Sequence, residues 1–169
     1  LLIYLLLVAI FQHWGYPLII LTTIPLGLAG GLVGLIALNQ LGITQPFDMI
    51  TMLGFVILLG TVVNNPILIV DHARHNLRQG AESILAAVRG AVEARLRPIL
   101  MSTATTIFGL APLVFIPGAG TELYRGVGIV VLAGILISTL ITLSFLPCLL
   151  ITTLQWRDRH MPLQHRSGR

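Results

Sequence analysis

Charged residues are scarce in this chain, and lysine is absent altogether. Only 9% of the 169 residues are charged, whereas 56% are hydrophobic and the mean hydropathy is +0.94. This composition excludes a water-soluble globule and is typical of an integral membrane protein.

Cysteine is nearly missing as well, and so are the motifs of catalysis. The single Cys148 excludes an internal disulfide. No nucleophile elbow, carboxylate pair or phosphate-binding glycine motif is found, and Gly118 and Gly120 are typical turn residues. His72 and His75 lie three residues apart, but a metal site needs three or four ligands. The sequence therefore predicts no enzyme, no cofactor or metal site and no nucleic-acid partner.

What the chain has in abundance is long apolar runs. A bilayer is crossed by about 20 mostly apolar residues, and four runs meet this length, at residues 17–38, 49–71, 98–116 and 127–153. A fifth run, 1–11, is too short to cross; it lacks an initiator Met, a basic segment and a cleavage site, so we interpret it as the end of a truncated span. We predict an all-α transmembrane bundle over residues 1–154 and a tail over 155–169.

The arginines indicate how the bundle is oriented. Five lie between the second and third full spans and four lie in the tail, so both segments are predicted to be cytoplasmic (Arg74, Arg78, Arg89, Arg95, Arg97; Arg157, Arg159, Arg166, Arg169). The net charge of +4 then reflects membrane topology and attraction to anionic lipid.

An amphipathic segment precedes the third full span. Its apolar residues recur at helical spacing (Ile84, Leu85, Val88, Val92, Leu96), which predicts a cytoplasmic interfacial helix over residues 80–97. A docking site for a partner is the alternative. We expect Arg97–Pro98 to end this helix, because the residue before a proline is disfavoured in helical conformation.

Two adjacent amides, Asn64 and Asn65, interrupt the second full span. Polar groups within a span usually face other helices or a water-filled path. Helical spacing places them beside two polar stripes that we expect to meet, one on their own span and one on the next (Thr51, Gly54, Gly60, Thr61, Asp71; Ser102, Thr105, Thr106, Gly109). These stripes indicate either helix-to-helix or local hydrogen bonding, or a hydrated track for a proton or ion.

Glycines recur at four-residue spacing in the first and last full spans. Such residues let membrane helices approach closely, so we interpret them as packing positions (Gly27, Gly30, Gly31, Gly34, Gly134).

Four segments in order resemble the carboxy-terminal end of a resistance-nodulation-division efflux permease of the hydrophobe and amphiphile exporting type. They are "PLGLAGGLVG", "MLGFVILLGTVVNNPILIVDHA", "RLRPILMSTATTIFGLAPLVF" and "GAGTELYRGVGIVVLAGILISTLITLSFLPCL". On this resemblance, residues 1–11 end the eighth helix, "HWGYP" is a cytoplasmic turn, and the four full spans are helices nine to twelve.

The resemblance implies a proton-driven antiporter of the bacterial inner membrane. The expected partners are the remainder of its own chain, two further copies in a trimer, a periplasmic adaptor and an outer-membrane channel. The span with Asn64 and Asn65 corresponds to the helix that lines the proton relay, with the proton as coupling ion. Arg95 matches an arginine at the cytoplasmic mouth, and Ser102 matches a hydroxyl residue one turn inside, which suggests a proton route past Ser102, Thr105 and Thr106.

The chain departs from the family pattern at one position. Familiar multidrug members carry a lysine where Asn64 stands and an asparagine where Asn65 stands. An amide cannot change charge, so either amides and water serve the relay here or this copy is uncoupled. Two further readings stay open, a permease for metal ions or lipids and a non-transporting remnant of a truncated gene.

Overall fold

The computed structural model of the chain describes residues 1–160 and is helical throughout that range except for short connections. Six helices follow one another: α1 (Leu2–Phe11), α2 (Gly15–Leu21), α3 (Thr23–Gln40), α4 (Met49–Arg78), α5 (Ile84–Phe115) and α6 (Thr121–His160). The predicted all-α bundle is thereby confirmed. The predicted tail continues α6 up to residue 160, and its remainder, with Arg166 and Arg169, lies outside the described residues.

Within residues 1–160, four helical stretches are long and apolar enough to cross a membrane, and each predicted full span coincides with part of one of them, the third ending one residue beyond its helix. They are Gly15–Gln40, Met49–Arg78, Ile84–Phe115 and Thr121–Arg159. At 1.5 Å per residue, α4 and α5 are each over about 40 Å long, which exceeds the roughly 30 Å hydrocarbon core. The charged residues of both helices lie at the end where the helices are joined, at Asp71–Arg78 of α4 and Arg89–Arg97 of α5, so we expect the excess length at this end. We call this the arginine-rich end.

Local sequence signals explain where the long helices begin. The Asp48 side chain accepts a hydrogen bond from the backbone N–H of Thr51 at 2.9 Å, and Ser83 accepts one from Ala86 at 3.1 Å. Both residues thus satisfy an amide that the first turn of a helix leaves without a partner. The turn between α4 and α5 contains Gly80 at φ +85°, a left-handed conformation that favours glycine.

Proline acts differently in the first and third full spans. The first is divided at Thr22 into α2 and α3, three residues before Pro25, which occupies the first turn of α3 where its missing N–H is tolerated. The prediction that Arg97–Pro98 ends a helix is wrong, because α5 runs unbroken from Ile84 to Phe115.

Packing explains why α5 continues through Pro98. The proline removes only one backbone hydrogen bond, the one to the carbonyl of Ala94. Val88 and Ala91 are completely buried in a cluster with Val70 of α4, and the Asn76 side chain donates to the Ala87 carbonyl at 3.1 Å. The amphipathic segment is therefore the first part of α5. Its Ile84, Val88 and Val92 pack in the cluster with α4, whereas Leu85 and Leu96 are exposed.

Helix α6 lies at the centre of the bundle and packs against α3, α4 and α5. The five glycines predicted for packing lie where α3, α4 and α6 contact one another. A Cβ added at Gly30 would come within 2.9 Å of Ile137, and one at Gly34 would overlap the Cβ of Ala133. Gly27 faces Val62, while Gly31 and Gly134 both face Leu58.

Candidate functional site

Asn64 lies near the middle of α4 on a face that no described helix covers. Gly60, Asn64 and Asp71 share this face and are all exposed, and a Cβ added at Gly60 would meet nothing within 4 Å. Asn65 is half-buried at its edge. Neither amide is hydrogen-bonded to another residue in the range 1–160. The two amides are thus free to bind groups from outside this part of the chain.

The hydroxyl stripe of α5 makes its hydrogen bonds locally. Ser102 donates to the carbonyl of Ile99 at 3.0 Å, Thr105 to Met101 at 2.8 Å and Thr106 to Ser102 at 2.9 Å. A donating hydroxyl still carries lone pairs that accept. In residues 1–160 these hydroxyls form no hydrogen bond with α4, so of the two kinds of hydrogen bonding that the sequence left open the structure shows the local one.

Only the first part of the polar stripe predicted on α4 is buried in the bundle. Thr51 and Gly54 are buried, and Gly54 approaches Val127 of α6. About two turns beyond Gly54, Thr61 is exposed and donates to its own helix at the Ile57 carbonyl, 2.8 Å away. Sequence spacing placed these residues on one edge of the helix, but it did not reveal that α6 covers only the first part of that edge.

A hydrogen bond joins side chains of two different helices, and the sequence did not predict it. Thr103 of α5 and Thr139 of α6 are both buried, and their hydroxyl oxygens lie 3.1 Å apart. Thr142 is completely buried one turn beyond, and its hydroxyl has no partner in the described part of the chain. One sequence signal could have indicated this contact. Ser138 and Thr142 continue the four-residue spacing of Gly134, and this row lies on the face of α6 that points into the bundle.

A cleft of about 360 Å³ opens at the arginine-rich end between α4 and α5. Its lining combines one carboxylate with three arginines and two histidines (Asp71, His72, Arg74, His75, Arg78, Arg95). The Nε of Arg95 is buried and has no hydrogen-bond partner among residues 1–160. Because α5 is continuous across Pro98, Arg95 and Ser102 lie two turns apart on one face, so the predicted proton route has a common surface.

A positive field surrounds the neighbouring turn between α1 and α2. Burial, and after it the charges of Arg157 and Arg74, lower the pKa of His13. The His13 Nδ1 accepts a hydrogen bond from the Gly15 N–H at 3.0 Å, and the guanidinium carbon of Arg74 lies 5.8 Å from the centre of the Tyr16 ring. Arginines of α4 and α6 therefore act on the turn between α1 and α2 and on the first turn of α2.

The side chains that could bind a metal ion do not cluster in the described range. No three His, Cys, Asp or Glu side chains within residues 1–160 are grouped to hold a metal ion. The rings of His72 and His75 lie 6.4 Å apart, and Cys148 is a free, exposed thiol.

At the opposite end, Arg125 is buried beside the start of α4. It is only 9% exposed, and its Nε has no partner among the described residues. The hydrogen bonds that Asp48 accepts from the backbone and side chain of Thr51 lower the pKa of that carboxyl. Asp48 is thus committed to capping α4 and makes no ion pair with Arg125 within residues 1–160.

Comparison with known proteins assigns this helical unit to a family. The sequence profile of the AcrB/AcrD/AcrF family matches residues 1–153. The chain is 37% identical over 145 residues to the multidrug resistance protein MdtC of Serratia proteamaculans (strain 568), covering 86% of this chain and 14% of that protein. It is 34% identical over 157 residues to MdtC of Yersinia pseudotuberculosis serotype O:1b (strain IP 31758), covering 93% of this chain and 15% of the relative.

A solved structure shares the fold. A heavy metal efflux pump, known from its X-ray crystal form II, superimposes with a TM-score of 0.76 at 30% identity, over 91% of this chain and 14% of the pump. The chain therefore spans about one seventh of the proteins that it matches. With the family profile covering almost all of its helices, the chain belongs to the AcrB/AcrD/AcrF family of resistance-nodulation-division permeases.

Proposed function

We propose that this chain forms part of the transmembrane domain of a proton-driven permease that exports drugs or other amphiphiles. The observation that carries the proposal is the uncovered face of α4 with Asn64 near its middle. Amides cost several kcal/mol when they face hydrocarbon without a partner. An unpaired amide at this depth therefore suits a helix that faces water and polar groups of the remaining polypeptide.

In this proposal, Asn64 and Asn65 hold water and hydrogen-bond the carboxylates that take up protons. Those carboxylates belong to the remainder of the chain. An asparagine offers two donors and an acceptor but no titratable charge, so it orients a proton carrier without carrying the proton itself. The electrostatic part of the coupling then depends on the carboxylates alone.

The proton leaves along the face of α5 that holds Arg95 and Ser102. The hydroxyls of Ser102, Thr105 and Thr106 donate to carbonyls of their own helix and accept from water, which gives a row of fixed acceptors one turn apart. Arg95 stands where this row reaches the arginine-rich end, so its fixed charge repels protons from lingering at the exit.

The assembly follows from the family. The chain works within its own permease, in the inner membrane of a bacterium with its arginine-rich end in the cytoplasm. Three copies form the pump, which joins a periplasmic adaptor and an outer-membrane channel. The buried, unpaired Arg125 at the opposite end supports a contact with another part of the permease, because a buried guanidinium is costly without a partner.

The test replaces Asn64 or Asn65 by Leu in the intact permease. Efflux of a fluorescent drug is measured together with the amount of protein in the membrane. We expect lost efflux at normal abundance. The matched control is Thr61→Val on the same face, whose hydroxyl is already bonded to its own helix. Unchanged efflux at unchanged abundance would remove the amides from the mechanism, and joint loss of efflux and protein would assign them to packing.

A second candidate function is export of metal ions, which the likeness to a heavy metal efflux pump favours. Copper and silver are bound by soft ligands such as methionine. Met49 and Met52 are both exposed at the start of α4, and no metal-binding group is found in residues 1–160. Growth of cells with and without the permease, on metals and on drugs, separates the two functions.

A further inference from the structure

The cleft at the arginine-rich end contains more arginine than membrane topology requires. Positive residues accumulate on the cytoplasmic side of a membrane protein, but this rule makes no demand that their side chains converge. Of the five arginines between Asp71 and Pro98, Arg74, Arg78 and Arg95 line one cleft, and they come from two helices. The other two stand apart from it, since Arg89 pairs with Glu93 at 2.9 Å and Arg97 is exposed outside the lining.

The charge inside the cleft is not balanced. Three guanidinium groups and two imidazoles share the lining with one carboxylate, Asp71, and within residues 1–160 none of these arginines forms an ion pair. The Nε of Arg95 is buried without a partner. The guanidinium group of Arg74 lies over the ring of Tyr16. Converging cations with free donors are the arrangement by which proteins bind phosphate groups.

The cleft also lies at the depth of lipid headgroups. Both helices change there from apolar to charged: α4 is apolar up to Val70 and reaches Asp71 next, while α5 becomes apolar after Arg97. A phosphate group at this level is presented by every phospholipid of the bilayer, and inorganic phosphate reaches the same position from the cytoplasm.

We propose that the cleft formed by Arg74, Arg78 and Arg95 binds a phosphate-bearing anion, either the headgroup of an anionic phospholipid or free phosphate. The guanidinium groups of α4 and α5 contact the same phosphate, so the anion joins the two helices where they leave the membrane. This binding does not depend on which cargo the permease exports.

The test uses the intact permease with Arg78→Gln and, as its matched control, Arg89→Gln. Both arginines are exposed and lie at the same end of the bundle, but only Arg78 lines the cleft. Each protein is placed in nanodiscs of phosphatidylcholine with and without phosphatidylglycerol, and retained lipid is counted by native mass spectrometry. We expect Arg78→Gln to lose about fivefold of its phosphatidylglycerol retention beyond the loss in Arg89→Gln, as removal of one basic contact at an anionic surface implies.

A second arm distinguishes the two sources of phosphate. The wild type in pure phosphatidylcholine is titrated with inorganic phosphate against chloride at equal ionic strength, and its thermal stability is followed. Stabilisation that Arg78→Gln abolishes assigns the cleft to free phosphate, and lipid retention without that stabilisation assigns it to a headgroup. Equal losses in the two variants together with no response to phosphate would overturn the proposal, because the arginines would then act only as topological charges.

Discussion

The contact between Gly34 of α3 and Ala133 of α6 permits a sharp test of how this bundle is held together. A Cβ added at Gly34 would overlap the Cβ of Ala133, and the next nearest atom is the Ile129 carbonyl oxygen at 3.4 Å. The neighbours are thus backbone and a short side chain, neither of which can rotate away. We therefore expect Gly34→Ala to force α3 and α6 apart at this level.

The expected cost combines two opposing effects. Overpacking a tight contact costs about 1–3 kcal/mol. Replacing a helical glycine by alanine stabilises a helix by about 1 kcal/mol or less, so Gly34→Ala is destabilising overall by up to about 2 kcal/mol. Gly60→Ala is the control for helix propensity, because it has the same effect on propensity and its Cβ meets no atom of residues 1–160 within 4 Å. The difference between the two variants isolates the steric effect.

The assay is thermal unfolding of the purified intact permease, with membrane abundance recorded in parallel. The decisive variant is the double change Gly34→Ala with Ala133→Gly, which exchanges the methyl group between the helices and restores the space. We expect it to recover most of the stability lost by Gly34→Ala, a coupling that only residues in contact show. Equal stability of Gly34→Ala and Gly60→Ala, or a double variant no better than the single one, would refute the contact.

Two further changes test polar contacts. Thr103→Val or Thr139→Val should each destabilise the permease by about 0.6 kcal/mol. The double change should cost little more, because no buried hydroxyl is then left without its partner. Stability is measured by thermal unfolding, and Thr152→Val, whose hydroxyl bonds its own helix, is the control. Asp48→Ala should destabilise α4 at neutral pH, where the capping carboxylate is charged. Because the folded pKa of Asp48 is lowered, this contribution is present above the usual carboxyl range and is lost as the pH falls through the lowered value. The stability difference between wild type and Asp48→Ala should therefore shrink in acid, whereas the difference between Asp48→Asn and Asp48→Ala, which involves no titrating cap, should not depend on pH in this range. A difference between wild type and Asp48→Ala that persists unchanged at low pH would contradict the assignment of the cap.

Local sequence properties were sufficient to locate the four helical stretches that can cross a membrane. Apolar length identified all four full spans, because the cost of exposing the backbone to lipid leaves helices as the available solution. Glycines at four-residue spacing identified the close contacts of α3 and α6, since only residues without a Cβ permit that approach. Both signals depend on residues close together in sequence.

Features that depend on several helices at once were not predictable. Pro98 is a helix breaker by its own chemistry, yet α5 continues because Val88 and Ala91 are buried against α4. Thr103 was less conspicuous than Thr105 and Thr106, although it alone of the three reaches α6. Likewise, the arginines that line the cleft cannot be told from Arg89 and Arg97 by position in the sequence. In each case the outcome depends on which neighbouring helix lies opposite the residue.

The distribution of polar groups over the outside of the bundle indicates which faces meet lipid. The exposed residues of α3 along its outer face are apolar (Leu32, Val33, Ile36), as are Leu136 and Leu140 of α6, and hydrocarbon solvates such surfaces without cost. On α4 and α5 the uncovered surface instead carries Asn64 and Ser102 among apolar side chains, and only 17% of the apolar window of α5 is buried inside the described chain. An unpaired amide costs several kcal/mol in hydrocarbon, whereas a neighbouring helix with polar groups removes that cost. We therefore expect the remainder of the permease to pack on the apolar segments of α4 and α5, at the level of Asn64 and Ser102 and short of the cleft at the arginine-rich end, and to leave α3 and the adjoining face of α6 to the lipid.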